Sequence, residues 1–80
     1  MARTLDLRGM RCPLPVLKAR KVLGMMAPGE EIEILATDPA ARIDFRHFCE
    51  TSGHRLVASS EDGAVLVFRI AKGERPWRSD

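Results

Sequence analysis

The chain is predicted to fold as an α/β (α+β) two-layer sandwich in the order βαβαββ, a four-stranded mixed sheet with two helices on one face. Three observations predict it. Four short segments alternate apolar and polar residues, two longer ones repeat apolar residues at helical spacing, and each helical segment opens on a polar corner bearing proline. Two amphipathic helices and a half-apolar sheet bury their faces most simply against each other, in two layers.

The first strand is read over Thr4 to Arg8, with Leu5 and Leu7 on one side and Asp6 and Arg8 on the other. Gly9 then permits a sharp reversal. The first helix is expected from Pro13 to about Met26: Val16, Ala19, Leu23 and Met26 share one face, and Lys18 and Lys21 the other. Ala27-Pro28-Gly29 ends it. Ile32 to Thr37 is the second strand, with Ile32, Ile34 and Ala36 inward. Asp38-Pro39 opens the second helix as a capping acid followed by a first-position proline. This helix runs to about Ser52, with Asp44 marking a candidate restart. Its core face is Ala41, Phe45, Phe48 and Cys49, spaced i, i+4, i+7, i+8, and Gly53 stops it. The last strands, His54 to Ser60 and Ala64 to Ile70, are joined through Glu61-Asp62-Gly63, a hairpin signal. One domain over residues 1–73 is expected, with a loose polar tail over 74–80 around Trp77.

This order has a chemical consequence. Right-handed crossovers make the first two strands parallel, so their C-terminal ends and both helix N-termini gather at one sheet edge. Open α/β sheets handle ligands at that edge. A third strand in the same direction would bring the Asp62-Gly63 hairpin there too.

Cys12 falls on this edge, in the run RGMRCPLPVL. Pro13 and Pro15 are tolerated there because the first N–H groups of a helix lack internal partners. Both stiffen the segment and remove competing donors. A sulfur before a helix faces the positive end of its dipole. Such placement, with cations such as Arg8 and Arg11 nearby, takes a thiol from about 8.5 down to roughly 3.5–7.5. Gly9, Arg11, Pro13 and Pro15 are therefore expected to shape the surroundings of a nucleophilic Cys12. Lys18, Arg20 and Lys21 make a solvated face that, with Arg8, offers docking for an acidic partner.

The runs LDLRGMRCPLPVLKARK, PGEEIEILATDPAARID and HFCETSGHRL resemble the small TusA-like (SirA-like) sulfur carrier family, from Leu5 to about Gly73. The family's C-P-x-P signature falls on Cys12-Pro13-Leu14-Pro15. The resemblance implies that Cys12 carries a persulfide between a sulfur donor, a cysteine desulfurase or rhodanese-type protein, and an acceptor protein. Relatives serve tRNA thiolation, molybdenum-cofactor maturation and dissimilatory sulfur oxidation. A carrier of this kind is a cosubstrate more than a turnover enzyme, and its only cofactor is the covalent persulfide. The chain departs from many relatives at Arg46, where they have proline, and in the Trp77 tail.

Other chemistries find little support. Cys49 lies ten residues into the second helix from Pro39, roughly 15 Å from the edge at 1.5 Å per residue, and a disulfide needs Cα atoms within about 7 Å. It reads as a core thiol. His47 and His54 lack metal-ligand spacing, so no metal is expected. Interleaved charges summing to +2 and few aromatics argue against direct nucleic-acid binding. With no long apolar run, no signal-like start and only two cysteines, a cytoplasmic monomer off the membrane is expected. Two alternatives stay open: a single-cysteine thiol redox protein, or an RNA-binding or regulatory module. The latter follows from a likeness of this sandwich to an RNA-associated domain of a bacterial translation initiation factor.

Overall fold

The computed structural model describes residues 3–11 and 14–73. The expectations for Cys12, Pro13 and the Trp77 tail concern residues outside these. The elements are β1 (Arg3–Leu7), α1 (Leu14–Gly24), β2 (Glu31–Ala36), α2 (Ala41–Ser52), β3 (Arg55–Asp62) and β4 (Val65–Ala71). They form the predicted mixed sheet, in spatial order β1-β2-β4-β3. β1 and β2 are parallel, with Arg3 opposite Ile32 and Leu7 opposite Ala36. β4 runs against both β2 and β3, so β3 points the same way as β1 and β2.

Element ends differ from the sequence reading where side chains compete for backbone groups. β1 stops at Leu7 because the Arg8 N–H donates to Asp6 Oδ1 at 3.1 Å, turning the chain out of the sheet. α2 starts at Ala41, two residues beyond Pro39. The Asp38 carboxylate accepts from Ala40 N–H at 3.0 Å and its carbonyl from Ala41 N–H at 2.9 Å, which closes a turn ahead of the helix. α2 shows no restart at Asp44, whose N–H donates to the Ala40 carbonyl at 3.0 Å. α1 ends at Gly24, and Met25 and Met26 tighten into i→i−3 bonds with Val22 and Leu23. β3 begins after His54 and runs to Asp62, and its register shifts between Leu56 and Ala58. Asp62 pairs with Val65, leaving Gly63 and Ala64 as a two-residue loop. Gly63 has φ +62° while Ala64 does not turn positive, so the loop is not the type I′ turn of an Asp-Gly centre.

The core lies between helices and sheet. Phe45 of α2 meets Phe68 of β4 with ring centroids 5.0 Å apart. Leu7, Leu23, Ile32, Ile34 and Ile70 surround them, all essentially inaccessible to water. At about 1.5–3 kcal/mol for each fully buried apolar side chain, these residues supply most of the driving force. The predicted inward sets Ile32, Ile34, Ala36 and Ala41, Phe45, Phe48, Cys49 are all buried. Gly53 caps α2 with φ +82°, its N–H donating to the Cys49 carbonyl.

Candidate functional site

The sheet polarity gathers at one edge the residues after β1, the β2–α2 corner and the β3–β4 hairpin. An open depression there is lined by Gly9, Met10, Arg11, Thr37, Asp38 and Pro39. A second, lined by Arg42, Glu61, Gly63, Ala64 and Leu66, adjoins it across Thr37 and Pro39. The Arg42 guanidinium and the Glu61 carboxylate are ion-paired, linking the start of α2 to the end of β3. The hairpin thus joins the working edge, as the strand directions required.

The predicted site residues divide. Gly9 takes the left-handed conformation, φ +84°, and its N–H donates to Thr37 Oγ1 at 2.9 Å. Arg11 is exposed, and its carbonyl accepts from the Leu14 N–H at 2.9 Å, so residues on both sides of Cys12 and Pro13 are held. Pro15 does more than stiffen: it is fully buried and anchors the start of α1 in the core. Arg8 is a different case. Its Nε and Nη2 donate to both carboxylate oxygens of Asp6, at 2.8 and 2.7 Å. These bonds hold the Asp6 carboxyl down to about 2 and raise the Arg8 guanidinium. Arg8 is therefore an exposed, ion-paired cation at the strand end.

Lys18, Arg20 and Lys21 are exposed along α1. Leu14 and Leu17 were not anticipated as part of this surface, yet they are 50% and 51% exposed. Helical spacing puts them on one stripe with Lys18 and Lys21. The signal was present in the sequence, since neither leucine belongs to the Ala19–Leu23–Met26 core face. Thr37 was also missed, because its bond to Gly9 joins residues 28 apart in sequence.

The residues set aside by the sequence reading sit elsewhere. Cys49 is buried, and desolvation, then the charge of Glu50, pushes its thiol up to about 11. His47 is exposed. His54 is buried at the opposite sheet edge, its ring 5.6 Å from Phe48 and its Nδ1 accepting from the Gly73 N–H at 2.9 Å. Among the described residues no three His, Cys, Asp or Glu side chains converge as a metal would require. No described helix is long and apolar enough to cross a membrane.

Residues 3–72 match the family model described as Sulfurtransferase TusA. The chain belongs to the TusA family. It is 41% identical over 68 residues to the sulfur carrier protein TusA of Allochromatium vinosum, covering 85% of this chain and 90% of that one. It is 45% identical over 69 residues to a Neisseria meningitidis protein provisionally named as a sulfur carrier, covering 86% and 93% of the two. Among solved structures, the SirA-like protein of Desulfitobacterium hafniense superposes with a TM-score of 0.79 at 28% identity, over 92% of this chain and all of that one. The TusA-family assignment and the two-layer fold therefore rest on sequence and structure alike.

Proposed function

We propose that this TusA-family chain is a sulfur carrier whose working atom is the Cys12 sulfur. The observation that carries the reading is family membership over residues 3–72, with the family's C-P-x-P signature falling on Cys12-Pro13-Leu14-Pro15. The chemistry is thiol exchange. Cys12 thiolate attacks the outer sulfur of a donor persulfide, the donor S–S bond breaks, and the donor thiolate leaves as Cys12–S–SH forms. An acceptor thiolate removes the outer sulfur by the same step, so no net oxidant or reductant is consumed. The N-terminus of α1 and Arg11 favour the anionic forms of Cys12. No general base is needed once the thiolate is preformed, and donor and acceptor supply the rest of the pocket.

Docking is assigned to the outer stripe of α1. Leu14 and Leu17 form its apolar centre, and Lys18 and Lys21, with Arg20 beside them, its basic rim. Such a surface suits a partner whose apolar contact is edged by carboxylates. The donor is a cysteine desulfurase or rhodanese-type protein. The acceptor belongs to tRNA thiolation, molybdenum-cofactor maturation or sulfur oxidation, in the cytoplasm.

Intact-mass spectrometry tests the reading. Reduced protein is incubated with a cysteine desulfurase and cysteine, beside Cys12→Ser and Cys49→Ser. The expected result is one added sulfur atom, released by reductant, absent from Cys12→Ser and retained in Cys49→Ser. An unmodified Cys12 with both desulfurase and rhodanese donors would sink the relay.

A further inference from the structure

We propose that Thr37 is a positioning residue for sulfur transfer: by accepting the Gly9 N–H it holds the segment Gly9–Arg11, which leads into Cys12, against the β2–α2 corner. The inference rests on the sulfur-relay reading, and its test separates the two. Near Cys12, the bond from Met10 N–H to the Leu7 carbonyl at 3.2 Å and that from Arg8 N–H to Asp6 are local to the β1 end. The bond from Leu14 N–H to the Arg11 carbonyl is local to the start of α1. Gly9 N–H to Thr37 Oγ1, at 2.9 Å, instead ties this segment to the neighbouring crossover.

Gly9 makes the tether specific. Its φ of +84° is a backbone choice, since a Cβ there would meet open space. The left-handed turn aims the N–H at Thr37, and Thr37 stands between the two depressions of the working edge. Stabilisation of an anion by a helix end falls off within one turn. A segment free to drift would therefore lose thiolate character at Cys12 and present its sulfur to partners less often.

Thr37→Val keeps the shape and removes the acceptor, whereas Thr37→Ser keeps the hydroxyl. Three readouts apply: Gly9 amide exchange by NMR, the pH profile of iodoacetamide alkylation of Cys12, and the rate of sulfur uptake from a desulfurase by intact mass. In Thr37→Val, Gly9 exchange is expected to accelerate and the alkylation midpoint to move to higher pH. Uptake is expected to slow by about two- to tenfold, the range of one net hydrogen bond. Thr37→Ser is expected to restore all three. A Thr37→Val protein with wild-type uptake and alkylation profile overturns the proposal. So does an unprotected Gly9 amide in the wild type, a measurement that stands even if Thr37→Val melts. Should the wild type take up no sulfur, the relay fails, while the exchange and alkylation arms still decide the role of Thr37.

Discussion

His54 shows how one side chain couples this fold to pH. Its Nδ1 accepts the Gly73 N–H, so the ring is neutral with its proton on Nε2. Burial, then the nearby charge of Lys72, lowers its pKa from the ordinary 6.5. As pH falls below 6.5 the unfolded chain takes up this proton before the folded one does. Stability is therefore expected to drop until the folded-state pKa is passed, and to change little from this group above 6.5. Urea midpoints measured from pH 7.5 to pH 5 should decline in the wild type and flatten in His54→Gln. An equal slope in both would assign the effect elsewhere. At this scale the sequence was partly legible. Cys49 and the inward isoleucines followed from spacing alone. The Asp6–Arg8 pair did not, because charge alternation along a strand says nothing of a side chain folding back two residues. Thr37 was hidden by the 28 positions between it and Gly9.

The elements themselves were read nearly as they stand, because their apolar period is strong in both helices and in β2. Their ends were not, since each end is decided by a local contest over one or two hydrogen bonds. The far edge is the clearest case. Lys72, silent as a sequence feature, is buried, and its Nζ donates to the Leu23 carbonyl at 2.5 Å, capping α1. Its backbone pairs with Gly29 and Glu30, fastening the α1–β2 turn to the end of β4. Gly73 continues this knot: a Cβ there would stand 2.2 Å from the Gly53 carbonyl oxygen, with backbone on both sides of the clash. Gly73→Ala is therefore expected to cost about 1–3 kcal/mol, as overpacking does. Chemical denaturation measures it. Sulfur uptake below the transition should be unchanged, because the clash is at the edge away from Gly9, Arg11 and Thr37. An unaltered midpoint would show that the backbone there yields freely.

For the whole molecule the margin is small. Eighty residues at about 0.05–0.15 kcal/mol each hold roughly 4–12 kcal/mol of stability, and a single layer of contacts around Phe45 and Phe68 supplies much of it. Phe45→Ala is expected to cost about 3–5 kcal/mol. Circular dichroism at 37 °C should then find a substantially unfolded population, and a melting temperature within a few degrees of wild type would contradict that core. The sheet directions also carry a consequence for architecture. Arg3 opens β1 and Gly73 follows β4 at the same edge, the one opposite Gly9, Thr37 and the hairpin. The described residues thus begin and end on one side, while the side proposed for sulfur exchange is reached by the β2–α2 and β3–β4 connections. A unit wired in this way can be spliced into a longer polypeptide, or strung beside other modules, without the joints crossing the edge that holds Gly9, Thr37 and the hairpin.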